Sequence, residues 1–108
     1  MGVGPELVLE TTRLGSHDVI VATGEIDLAS APRVDAALGG FTGQEVVLDL
    51  RGVDFMDSAG LKVLLSQRAR LEESGGVLRL VIAEGPVMRL LELTNVSHAF
   101  SISQSIDG

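Results

Sequence analysis

The sequence contains no cysteine, no tryptophan and no tyrosine. Without cysteine, the chain cannot form a disulfide, a thiolate metal site or a cysteine nucleophile. Without tryptophan and tyrosine, it lacks the aromatic side chains on which nucleic-acid bases usually stack. Basic residues are also scarce, with 8 against 15 acidic residues, so the formal net charge is −7. This acidic balance argues against a nucleic acid or an anionic membrane as the partner.

Long apolar runs are absent as well. The longest, such as residues 19–22 and 80–83, are far too short to span a bilayer. The N-terminus has no basic segment followed by an apolar stretch, so no signal peptide is visible. With 108 residues, 45% of them apolar, the sequence predicts a single globular domain over residues 1–108, located in the cytoplasm.

The apolar residues that are present alternate between strand-like and helix-like segments. Short apolar stretches such as residues 46–48 are typical of strands covered on both faces. Helical spacing is clearest for Leu61, Leu64, Leu65 and Leu71, which lie on one stripe. The predicted strands are 7–12, 18–24, 45–50, 77–83 and a last short one around Phe100 and Ile102. The predicted helices begin at 30–32, at Ser58 and at Pro86.

The order of these elements predicts the fold class. The first two strands should pair antiparallel across a turn at 13–18. Strands that are joined by a helix become parallel neighbours with right-handed connections. The sequence therefore predicts an α/β fold, a small mixed sheet of four to five strands packed with helices. A connection over 51–57 should lead to the longest helix, with Ser58 as its cap.

Ser58 is the first candidate for chemistry. A hydrolase elbow needs glycine two residues before and two residues after its serine. Here Met56 takes the first position, although Gly60 satisfies the second. Only His17 and His98 could act as the base, and neither lies in an orienting motif. We therefore favour a helix-capping serine over a hydrolase nucleophile.

A phosphate-accepting aspartate is the second candidate. Asp49, Asp54 and Asp57 lie near the carboxyl end of the central strand, where α/β proteins place ligands. Such a site also needs a lysine at the end of another strand, and the single lysine, Lys62, falls inside a helix. Solvated loop aspartates are the favoured interpretation. Since phosphate-binding loops are absent and the two histidines have too few co-ligands, the sequence predicts no enzyme, no cofactor and no metal.

The remaining feature is a serine at a helix start. A helix N-terminus tolerates an added dianion, because its N–H groups and positive partial charge favour it. Phosphorylation there changes the surface without unfolding the protein. This makes Ser58 a candidate modification site, although most capping serines are never phosphorylated. Phe55 and Met56 just before it are either core anchors or, if exposed, interface residues.

Three stretches carry a resemblance to a known family. Residues 55–61 read FMDSAGL, residues 24–27 read GEID, and residues 86–94 read PVMRLLELT. In the same order and at similar separations, they resemble the motifs of the bacterial anti-sigma factor antagonists, members of the STAS domain family. The third stretch has one spacer residue fewer after its proline. The resemblance extends over about residues 7–102.

This resemblance implies a switch in gene regulation. In the family, the unphosphorylated antagonist binds an anti-sigma factor, which is also a serine kinase, and so frees a sigma factor. The kinase phosphorylates the motif serine, here Ser58, and binding ends. A serine phosphatase restores the first form. The alternative is a non-phosphorylated STAS module that serves as a scaffold or regulates transport.

The resemblance also implies a partner-binding surface around Ser58. Ala59 replaces a second hydroxyl residue common in the family, which leaves Ser58 as the only acceptor in the motif. Lys62 is either a solvated lysine or a charge that pairs with the phosphate or adjusts partner choice. Asp27 either orients this surface or belongs to the turn before a helix. The implied partner-binding residues are Asp27, Asp54, Met56, Asp57, Ala59, Gly60, Leu61 and Lys62.

Overall fold

The structure, a computed structural model, describes residues 6–106. Its strands form one sheet in the order β1-β2-β3-β4-β5. β1 is antiparallel to β2, and each later strand is parallel to the strand before it. The predicted mixed α/β sheet is thereby confirmed. In chain order, the elements are β1 (Val8–Leu14), β2 (His17–Ile26), α1 (Ala31–Gly39), β3 (Glu45–Met56), α2 (Ser58–Glu73), β4 (Val77–Val81), α3 (Pro86–Leu93), a 3₁₀ turn (Ser97–Ala99) and β5 (Ser101–Ser103).

The two faces of the sheet are buried in different ways. Successive side chains of a strand point to opposite faces. Val46 and Leu48 of β3 therefore join one large core, which includes buried residues of α1, α2 and α3. Val47 points the other way and forms a small cluster with Val19 and Val81. Coverage on both faces explains why the central strands are continuous apolar runs.

β3 is longer than the sequence predicts. The connection expected over 51–57 is wrong, because β3 stays paired with β2 until Ile26 lies beside Met56. Two irregularities in the register of this pair accommodate the extension. Arg51 and Gly52 are exposed and interrupt the apolar run, so the pattern ends early while the backbone continues as a strand.

The hairpin between β1 and β2 is tighter than predicted. Leu14 pairs directly with His17, which leaves only Gly15 and Ser16 in the turn. Gly15 has a φ of 62°, which glycine adopts without strain. His17 is thus the first residue of β2 and not a turn residue. Its Nδ1 lies 3.7 Å from Oε1 of Glu45.

The helices begin and end close to the predicted positions. α2, the longest, has 16 residues and ends before the predicted stop at Gly75 and Gly76. There the Gly76 N–H donates to the carbonyl oxygen of Leu71 at 2.7 Å. None of the helices in residues 6–106 has the length and apolar character that crossing a membrane requires.

Candidate functional site

The N-terminus of α2 is capped by Asp57 and not by Ser58, so the predicted cap is wrong by one residue. Asp57 has an extended backbone, and its Oδ1 accepts a hydrogen bond from the Ala59 N–H at 2.9 Å. Its own N–H donates to the carbonyl oxygen of Ile26 at 3.2 Å, and its carbonyl accepts from the Leu61 N–H at 3.2 Å. These bonds fix the junction between β3 and α2.

Ser58 is therefore the first residue of the helix, and its side chain is exposed. Within residues 6–106, the Ser58 hydroxyl makes no hydrogen bond. Asp57 already supplies the cap that a serine would otherwise provide. The hydroxyl thus has no hydrogen-bonding role within residues 6–106 and faces solvent in the first turn of α2.

The residues behind Ser58 bring α2 into close contact with the sheet. A Cβ on Gly60 would lie 2.7 Å from Cγ of Met56 and 2.8 Å from Cγ2 of Ile26, so a larger residue would force these side chains to shift. Met56 and Leu61 are only 5% and 8% exposed. Met56, Gly60 and Leu61, three of the predicted partner-binding residues, therefore lie beneath the surface. The core interpretation of Met56 is confirmed.

Asp27 forms the turn between β2 and α1. Its Oδ1 accepts hydrogen bonds from the N–H groups of Ser30 at 3.0 Å and Ala29 at 3.1 Å, and from the Ser30 hydroxyl at 3.0 Å. The bonds from Ser30, backbone first, lower the pKa of Asp27. Its carbonyl oxygen also accepts from the Ala31 N–H at 2.8 Å. The interpretation as a turn aspartate is confirmed, and the carboxylate fixes where the next residue, Leu28, is held.

The three aspartates after the centre of β3 do not form one acidic site. Asp49 is 5% exposed, and Arg51 donates to both of its oxygens at 3.0 and 2.8 Å. Burial raises the pKa of Asp49, but the hydrogen bonds and charge of Arg51 outweigh burial and lower it. Asp54 is exposed and lines a cavity of about 130 Å³ before α3, and Asp57 caps α2. The prediction of loop aspartates is wrong for Asp49 and Asp54, which lie in β3.

Ser58 lies at a groove between α1 and α2, which we call the α1–α2 groove. It has a volume of about 540 Å³. Leu28 forms part of its wall and is 78% exposed. Among residues 6–106, the groove contains one carboxylate, that of Asp35, which accepts a hydrogen bond from Nε2 of Gln67 at 2.8 Å. Its one cationic side chain from the same residues is Lys62. The groove is lined by Leu28, Ala31, Pro32, Asp35, Ser58, Ala59, Lys62, Val63 and Ser66.

Sequence reasoning found only part of this site. Ser58, Ala59 and Lys62 are brought together in the groove as predicted neighbours along α2. Leu28 and the α1 residues of the wall were missed, because the pattern of one helix does not reveal which elements pack beside it. An apolar leucine directly after a turn aspartate was the available signal. Asp54 lines the other cavity and does not join the groove.

Comparison with known proteins agrees with this architecture. The sequence matches the STAS domain over residues 9–108. The anti-sigma-B factor antagonist of Listeria monocytogenes is 34% identical over 95 residues, which are 85% of this chain and 82% of that protein. The crystal structure of an anti-sigma factor antagonist from Mycobacterium paratuberculosis has a TM-score of 0.84 at 26% identity, covering 94% of this chain and 89% of that one.

A third match concerns the fold. The anti-sigma factor antagonist SpoIIAA in its unphosphorylated form has a TM-score of 0.70 at 20% identity, over 91% of this chain and 88% of that one. The five-stranded mixed sheet and the match over residues 9–108 define the class of the protein as a STAS domain. Within that class, the chain belongs to the family of anti-sigma factor antagonists.

Proposed function

We propose that this chain is a partner switch controlled by phosphorylation. Unmodified, it binds an anti-sigma factor and so frees a sigma factor. The anti-sigma factor is also a serine kinase that phosphorylates Ser58, after which the complex separates, and a serine phosphatase reverses the modification. The observation that carries the proposal is the exposed Ser58 hydroxyl, which the fold does not use. The chain is the substrate in this cycle and not an enzyme.

The docking surface follows from the position of Ser58. For transfer, its Oγ must attack the γ-phosphorus of ATP. The bond from that phosphorus to the leaving ADP breaks, and the hydroxyl proton passes to a base of the kinase. The partner must therefore cover the start of α2 and the adjoining groove, where it meets Leu28, Ala59 and Lys62. Asp27 contributes by holding the turn that presents Leu28.

Release follows from the electrostatics of one residue. Phosphorylation adds about −1.5 to −2 charge at neutral pH. At a helix N-terminus, this charge is favourable by roughly 0.3–1 kcal/mol, and the neighbouring carboxylate of Asp57 opposes it. Within an interface the same dianion loses its water, which costs several kcal/mol when no partner charge compensates. Affinity should therefore fall by orders of magnitude while the fold persists.

The decisive experiment is incubation with the anti-sigma kinase and ATP, followed by intact-mass measurement. The unmodified chain should gain one phosphate, and Ser58→Ala should gain none. Ser66→Ala is the matched control, because Ser66 is also an exposed serine of the groove. It should gain one phosphate like the parent. Ser58→Ala should also bind the kinase and stay bound when ATP is added. Full phosphorylation of Ser58→Ala would refute the assignment.

A further inference from the structure

Lys62 is the single lysine of the chain and lies four residues after Ser58 on α2. Side chains with this spacing are neighbours on a helix surface, with Cβ atoms about 5–6 Å apart. Both residues are exposed, and both line the α1–α2 groove. Any group attached to the Ser58 hydroxyl therefore lies within reach of the Lys62 ammonium.

Among the lysine and arginine side chains of residues 6–106, only Lys62 and Arg89 lack an ion pair or side-chain hydrogen bond, and of these two only Lys62 lines the α1–α2 groove. Arg51 binds Asp49, and Arg70 donates to the carbonyl oxygens of Leu38 and Phe41. Lys62 makes no ion pair or hydrogen bond with any of residues 6–106. The groove carboxylate, Asp35, already accepts from Gln67, which lies deeper in the same pair of helices.

We propose that Lys62 is the counter-ion of the phosphate on Ser58 and that this ion pair draws the phosphate over the α1–α2 groove. The inference rests on the function proposed above for Ser58. An anionic group N-terminal to lysine at this spacing is the favourable order on a helix. The ammonium offers three donors to the phosphate oxygens.

The pair gives the switch a steric component. The Asp57 carboxylate already accepts from the Ala59 N–H, so this donor is not available to the phosphate. The phosphate therefore pairs with Lys62, one turn along the helix. A phosphate drawn toward Lys62 lies across the apolar walls near Leu28 and Val63. The modified chain then closes the docking groove with its own side chains, in addition to carrying charge into it.

The test uses a chain with phosphoserine placed at position 58 during translation, so that no kinase is needed. The second ionisation of the phosphate is followed by ³¹P NMR in the parent, Lys62→Met and Lys62→Arg. Asp57 at the N-cap of α2, Asp35 on α1 and Asp27 in the turn before α1 also influence this phosphate, but they are common to all three chains. The phosphate in Lys62→Met should titrate about 0.2–0.4 pH unit higher than in the parent.

Two controls isolate the ion pair. Lys62→Arg should keep the parent value, and the difference for Lys62→Met should shrink in 1 M salt, where the Debye length is about 3 Å. Phosphoserine at Ser16 should not respond to Lys62→Met, because Ser16 precedes β2 at the opposite end of the sheet. Equal titration of phosphoserine 58 in the parent and Lys62→Met would overturn the proposal.

The position of the phosphate is tested through methyl NMR. The Val63 and Leu28 methyl signals should shift on phosphorylation in the parent and shift much less in Lys62→Met. Equal shifts in both chains would refute the placement over the groove. These outcomes are separate from the kinase experiment. If the kinase phosphorylates Ser58 but Lys62→Met does not change the titration of the phosphate, the proposed switch is supported and the proposal that Lys62 is the counter-ion is refuted.

Discussion

At the junction between β3 and α2, we expect substitutions of two adjacent residues, Asp57 and Ser58, to change the free energy of unfolding by different amounts. Asp57→Ala removes the carboxylate that accepts from the Ala59 N–H at 2.9 Å. Loss of such a cap costs about 0.5–2 kcal/mol, and loss of a negative charge at the helix N-terminus adds about 0.3–1 kcal/mol. Ser58→Ala removes an exposed hydroxyl without a hydrogen-bond partner among residues 6–106 and should change stability by about 0.5 kcal/mol or less.

Calorimetry and urea unfolding measure this difference. In a domain of this size, 1 kcal/mol corresponds to a shift of about 4–8 °C in Tm. Asp57→Ala should therefore melt about 3–24 °C below the parent, whereas Ser58→Ala should melt within a few degrees of it. Asp57→Asn keeps an acceptor at the cap and should fall between the two. If Ser58→Ala destabilises the protein as much as Asp57→Ala does, Ser58 is the cap and its hydroxyl is not spare.

Three further predictions concern packing, docking and pH. Gly60→Ala should destabilise the protein by about 1–3 kcal/mol in urea unfolding because of the close contacts behind it, and a gain in stability would show that helix propensity dominates. Leu28→Ser should weaken binding to the anti-sigma factor at least about tenfold in calorimetric titration. Leu93→Ser, equally exposed at 78%, should not; equal losses would place docking elsewhere. Arg51→Met should lower Tm at pH 7, and this deficit should narrow below about pH 4, because the lowered pKa of Asp49 adds stability only while its carboxylate is charged. A deficit that is independent of pH would exclude this ion pair as its cause.

Hydrophobic periodicity was sufficient to predict the sheet. Residues 46–48 are buried on alternate faces, and this pattern identified β3 as a central strand. Parallel pairing with β2 and β4 followed from the helices between the strands, since a helical crossover returns the chain in the same direction. The weak apolar signal around Ile102 also proved sufficient, because it pairs with Leu80 as the last strand.

The details of the site depended on information that periodicity does not contain. Asp57 and Ser58 are both good cap residues, and only the backbone angle at Asp57 decides which of them caps α2. The α1–α2 groove requires the relative placement of two helices, which tertiary packing determines. The close approach of Gly60 to Ile26 joins α2 to β2, two elements distant in sequence, and periodicity does not reveal such a contact.

The hydrogen-bonded junction around Asp57 has a consequence for how a kinase could recognise Ser58. The N–H and carbonyl of Asp57 connect the end of β2 to the first turn of α2, so the backbone on either side of Ser58 is hydrogen-bonded into the fold. A kinase for this serine has to recognise that folded shape and cannot draw out a flexible tail. A linear peptide with the FMDSAGL sequence should therefore be a poor substrate. Under the function proposed above, phosphorylation of Ser58 would therefore be restricted to molecules that have completed folding, and misfolded copies would remain unmodified.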